Sequence, residues 1–224
     1  MGQVCTVVAR WAPQQPVRLL ALRDELTSRD FDEPGEHWGP GVVGGRDRTA
    51  GGTWCASDVA AGATALVLNR PQKRIADPGA PSRGVLPLLA LEHGAAWPEH
   101  VALPGMASFA LVLATPELLR LWVFDGSTLT VTDLAPGTHM VTSGFEEDGK
   151  VDRYLSSFSG DDWLGVVQAE QPQDDATALV VRHTEGDRTF ATVFGQLIDS
   201  RPGHLHLEHS RTPWTTEGWS AQDW

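Results

Sequence analysis

Short apolar runs alternate with Gly- and Pro-rich turns along most of the chain. Cys5–Trp11 and Val17–Asp24 are two such runs, rich in β-branched residues and separated by Ala12-Pro13-Gln14-Gln15-Pro16; they predict an N-terminal hairpin. Leu26 to Gly52 is polar, charged and Gly-rich, which predicts a long loop capping a site. Thr53–Ser57 and Ala63–Leu68 predict a second strand pair around Ala61-Gly62, and Arg70–Ser82, with three prolines, a further loop. Val85–Ala96 places Val85, Leu88, Leu89 and Glu92 at helical spacing and predicts a helix.

Farther on, Phe109–Ala114, Leu119–Phe124, Leu129–Thr132 and His139–Thr142 predict short strands. Lys150–Phe158 and Asp162–Glu170 predict helices, and Thr177–Arg182, Thr189–Gln196 and His204–Glu208 a closing three-stranded meander. The tail, Trp214–Trp224, has no clear period. Strand pairs interrupted by two helical stretches imply an α+β domain, antiparallel sheets with helices packed outside.

Bulk properties narrow the function. A chain of 224 residues suits one domain and buries enough apolar surface to fold without disulfides or metal. Its net charge of −12 repels phosphate backbones and anionic lipid heads, which argues against nucleic acid and membrane surfaces as partners. No apolar run approaches a bilayer-spanning length and no secretory leader is evident, so a cytoplasmic location is expected. Cys5 and Cys55 are too few for a disulfide framework. Lysine occurs only at Lys73 and Lys150 against fifteen arginines, a bias expected of a GC-rich bacterial gene.

The chemistry centres on Cys5. A cysteine nucleophile needs a thiolate, a nearby cation or base, and donors for the developing oxyanion. The predicted hairpin returns Arg23 and Asp24 beside Cys5: a cation to acidify the thiol and a carboxylate to orient a neighbouring amine. The bland alternative is a small buried hydrophobe.

Seven blocks sharpen the picture. Cys5-Thr6-Val7-Val8, Leu22-Arg23-Asp24-Glu25, Gly44-Gly45-Arg46-Asp47, Gly51-Gly52-Thr53-Trp54, Ser82-Arg83-Gly84, Gly137 to Thr142 and Gly186-Asp187-Arg188-Thr189 resemble, in order, the blocks of the NRDE (transport-and-Golgi-organisation) family. That resemblance implies the Ntn-hydrolase αββα sandwich, four layers with two antiparallel sheets between helices. The same positions are similar to the cysteine Ntn acylases that cleave bile salts and penicillin V. By that likeness Cys5 is the nucleophile with its own α-amine as base, Arg23 and Asp24 its neighbours on the second strand, Asn69 an oxyanion donor, and Arg188 the late arginine. Ser143, Thr142 and Trp54 fall on the substrate and oxyanion side. Two departures stand out: Leu22 replaces the family's Asn, and Ser143 replaces an acylase Asn. Met1-Gly2-Gln3-Val4 precede Cys5, so its free amine requires either clipping of that prefix or initiation at Val4.

The reaction so implied is cleavage or transfer at the C–N amide of a small acylated substrate, with no cofactor. The other reading that the family implies is a non-catalytic carrier of haem or an acyl lipid, with His37, His93 or His139 as axial ligands. Trp38, Trp54 and Trp97 are candidates for an apolar pocket lining. His204-Leu205-His206-Leu207-Glu208-His209 looks like a zinc signature but lacks later ligands, and reads better as the polar face of an edge strand. Met1-Gly2 with Thr6 fits an N-myristoylation pattern only formally. A homo-oligomer is compatible with everything above.

Overall fold

The computed structural model describes residues 5–71, 76–144 and 149–224. The chain is α+β: two antiparallel sheets of seven strands each, with few helices. The first hairpin forms as expected from β1 (Thr6–Trp11) and β2 (Val17–Leu26), with Thr6 opposite Leu22 and Arg10 opposite Arg18.

Between Leu26 and Gly52 the predicted loop is instead two strands, β3 (Phe31–Gly35) and β4 (Val42–Asp47). Their pattern is hidden because glycine replaces the usual side chains. A Cβ on Gly44 would press on Cys55 and Ala56 of the next strand, and one on Gly45 would overlap the Trp54 ring. Glycine here lets a bulky neighbour lie across the strand rather than breaking it. The meander continues through β5 (Thr53–Asp58), β6 (Ala63–Asn69), β7 (Phe109–Ala114), β8 (Leu119–Phe124) and β9 (Leu129–Leu134), each paired to the next.

β10 (Gly137–Thr142) crosses to the other sheet and pairs with β1, Thr142 opposite Thr6. β12 (Arg188–Arg201) runs along β2, and β13 (His204–Ser210) follows it. The closing meander needs correction: Thr177–Val181 is not a strand, and β11 (Arg182–Glu185) shares one edge of the long β12 with β13. Nor is β13 an edge, because β14 (Ser220–Asp223), in the supposedly aperiodic tail, pairs with it.

The helices are shorter than expected. A 3₁₀ turn at Arg83–Val85 leads into α1 (Leu86–His93), which stops at Gly94 (φ +54°) and gives way to a second 3₁₀ stretch, Gly94–His100, that contains Pro98. α2 (Lys150–Tyr154) tightens into 3₁₀ turns at Leu155–Ser159. α3 (Trp163–Gln168) is capped by Asp162, whose Oδ1 accepts from the Gly165 N–H at 2.9 Å.

Period-two burial organises three cores. Val7, Ala9, Leu19 and Ala21 meet Val43, Leu66, Leu68 and Val112 from the other sheet. The opposite face of β1 and β2, with Val8, Leu20 and Leu22, packs on Tyr154, Phe158, Trp163 and Val167. Ala65, Phe109 and Leu111 pack on Leu86, Ala90 and Trp97. Cys5 lies at the end of the contact between sheets.

Candidate active site

Cys5 precedes β1 by one residue and is held by the main chain on both sides. Its carbonyl accepts from the Ser143 N–H at 3.0 Å, and its Sγ donates to the Asp24 carbonyl at 3.5 Å. One step beyond the Thr6–Leu22 pair, the antiparallel register sets Cys5 across from Arg23, so both side chains face the other sheet.

A cavity of about 150 Å³ opens there. Its walls bring together Cys5, Arg23, Trp54 and Asn69 from the sequence-derived set, with Glu25, Arg29, Asp47, Thr53 and Arg83. Exposed Ala50 and Ser82 stand at its solvent side. A smaller apolar recess of about 20 Å³ continues below Cys5 between Val7, Ala21, Cys55 and Leu66. Two glycines shape the entrance: Gly52 approaches Gly84 so closely that a Cβ on Gly52 would overlap the Gly84 backbone. That contact seats the Arg83 turn on the start of β5.

The electrostatics differ from expectation. Arg23 is 6% exposed, stacked 4.5 Å over the Trp54 ring and 5.1 Å from that of Phe31. Its Nη2 sits at 3.5 Å from Asp47 and 3.6 Å from Glu25. Arg29 grips Asp47 with both Nε (2.6 Å) and Nη2 (3.2 Å). Burial, the dominant influence, pushes the Cys5 thiol up to about 11; Asp24 and Glu25 act in the same direction, and Arg23 opposes them too weakly. Arg23 thus acts on Cys5 in the expected direction, but burial and the neighbouring carboxylates outweigh it in the chain that carries Val4 before Cys5. Glu25 and Asp47 share the guanidinium's charge.

Asp24 is also corrected. Its carboxylate takes the opposite face of β2, where Oδ1 accepts from Thr192 Oγ1 at 2.6 Å and Oδ2 has no hydrogen-bond partner among the described residues. Burial raises its pKa to about 7, against the pull of Lys150 and Thr192. Lys150 itself is fully buried and donates to Thr6 Oγ1 at 3.1 Å. Asp24 reaches the cavity without presenting that carboxylate to Cys5.

Arg188 does not join the site. It is exposed where the β11–β12 hairpin turns, opposite Glu185, and does not line the cavity. Arg83 stands there instead, its Nη1 donating to the Ser108 carbonyl at 2.8 Å. In the sequence Arg83 stands only as the middle of Ser82-Arg83-Gly84, and an arginine beside a glycine in a proline-flanked loop carries no chemical signal of its own. Thr142 and Ser143 are buried at the β10 end next to Cys5 and do not line the cavity.

The haem candidates lie elsewhere. His37 packs edge-on against Trp38, His93 stacks on His100 at 3.5 Å, and His139 Nε2 lies 2.7 Å from the Ala135 carbonyl oxygen. None lines the cavity. Trp97 is buried against Phe109 and Trp122, away from it. In the zinc-like run, His206 Nδ1 lies 2.7 Å from Asp223 of β14, while His209 is buried against Phe194. Among the described residues, no group of three or more His, Cys, Asp or Glu is able to hold a metal, and no helix is long and apolar enough to cross a membrane.

Compared with known families, the chain matches no family model. Compared with curated proteins, it matches none.

Proposed function

We propose that the chain is an NRDE-like, Ntn-hydrolase-type protein that cleaves or transfers the acyl group of a small amide through Cys5. The observation that carries this reading is the placement of the Cys5 side chain, at a strand start between two sheets, in a cavity shared with three arginines and Asn69. The three cores support the finer αββα layering: sheet against sheet in the middle, helical segments against each outer face.

The chemistry requires a free α-amine on Cys5, which chain cleavage before residue 5 or initiation at Val4 followed by Met removal would supply. That amine takes the thiol proton, and the thiolate attacks the acyl carbon. Asn69 and main-chain N–H groups stabilise the oxyanion. The C–N bond breaks as the α-ammonium returns the proton to the leaving amine. Water then hydrolyses the thioester, releasing a carboxylic acid and restoring the thiol. Arg83 lines the cavity and Arg188 does not, so the five-residue acylase set is not carried over whole.

A haem carrier is less well supported. A 150 Å³ cavity admits a group of about benzene size, and no histidine reaches it. The test is turnover of an N-acyl amide panel by a chain beginning at Cys5. Hydrolysis abolished by Cys5→Ala supports the reading; equal turnover with and without the thiol overturns it.

A further inference from the structure

Apart from Asp24, whose carboxylate turns to the opposite face of β2, five charged side chains line the Cys5 cavity, and their pairing is unequal. Arg29 binds Asp47 in two-point contact. Glu25 sits 3.6 Å from Arg23 and 3.7 Å from Arg29. Arg83 makes no ion pair among the described residues; its recorded partner is a neutral carbonyl. Three guanidinium groups thus face two carboxylates, leaving one positive charge in excess in a protein whose overall charge is −12.

A second observation points the same way. Arg23 is 94% buried by its 6% exposure, yet its Nη1 has no hydrogen-bond partner among the described residues. A buried charged donor left unmade is costly, more so than a neutral one. The guanidinium is held by Trp54 on its face and by carboxylates at Nη2.

We propose that the cavity recognises a carboxylate on its substrate, held between Arg23 and Arg83 beside Cys5. This rests on the amide-cleaving reading and names its substrate class: a small N-acyl compound whose leaving amine or acyl portion bears one carboxylate. A monoanion fits better than a phosphate dianion, because Glu25 and Asp47 line the same walls and the excess is a single charge. The volume matches, since about 150 Å³ holds roughly six to eight heavy atoms, the size of a short acyl amino acid.

Calorimetric titration of the full chain carrying Cys5→Ala tests this without turnover. N-acetylglycine should bind at least tenfold tighter than N-acetylglycinamide, its neutral counterpart, and tighter than inorganic phosphate. Arg83→Gln should cost about tenfold in affinity for the acid and leave the amide unchanged, with Arg83→Lys restoring part. The acid–amide comparison in the Cys5→Ala chain needs no change at Arg83, so misfolding of Arg83→Gln cannot rescue the proposal. Equal binding of acid and amide, preference for phosphate, or binding of neither overturns it. Failure of the enzyme reading shows differently, as carboxylate binding with no acyl adduct on a chain beginning at Cys5. Turnover that ignores the carboxylate sinks this inference and leaves the enzyme reading intact.

Discussion

Cys5 and Asp24 meet through the thiol and a main-chain carbonyl, at 3.5 Å, while the Asp24 carboxylate turns to the other side of the sheet and accepts from Thr192. The nucleophile and the carboxylate expected to serve it are therefore neighbours in register but separated by the sheet itself. With residue 4 attached, Cys5 is a half-buried thiol beside a carbonyl acceptor, and its pKa is pushed up to about 11.

The first prediction follows from that value. In the full chain, the rate of Cys5 alkylation by iodoacetamide should rise about tenfold per pH unit from pH 7 to 10, since the thiolate fraction at pH 7 is only about 10⁻⁴. Cys55→Ser removes the competing buried thiol. A profile that levels off below pH 8 would contradict the account.

Lys150 and Asp24 give a pH-dependent prediction. The folded Asp24 pKa of about 7 exceeds its unfolded value near 3.8, so the folded state holds its proton more tightly and stability falls as pH rises through that window. Lys150 pulls the value down, so Lys150→Met should push it further up and extend the loss above pH 7. The variant should lose about 3–5 kcal/mol at pH 8 and clearly less at pH 5, measured by urea unfolding against the parent. An equal loss at both pH values would show that Asp24 does not depend on Lys150.

Gly52 tests the architecture of the entrance. Gly52→Ala forces a Cβ into the Gly84 backbone and should destabilise by about 1–3 kcal/mol in thermal unfolding. Gly160→Ala is the control, because a Cβ there meets nothing within 4 Å, and it should change little. Comparable effects of the two substitutions would mean that the Gly52–Gly84 approach does not position the Arg83 turn.

What the sequence made legible was the alternation. Val7, Ala9, Leu19 and Ala21 face one side and Val8, Leu20 and Leu22 the other, so the hairpin and its pairing followed directly from period two. β3 and β4 were not legible, because Gly44 and Gly45 give their space to Ala56 and Trp54 and leave no apolar stripe to read. Arg23 was legible as a neighbour of Cys5 through the register, but its charge sharing with Glu25 and Asp47 depends on the turn after β4. Asp47 ties that turn together, its Oδ1 accepting from the N–H groups of Thr49 and Ala50. The placement of Arg83 depends on two glycines meeting across more than thirty residues, a contact with no local signature.

The most direct test of Cys5 as an acyl-accepting nucleophile is intact mass after incubation with N-acetylglycine and related N-acyl amides, quenched in acid. The account predicts a single acyl adduct on Cys5 in a chain beginning at that residue, absent from the full chain and from Cys5→Ala. No adduct on either form, or the same adduct on both, would contradict it.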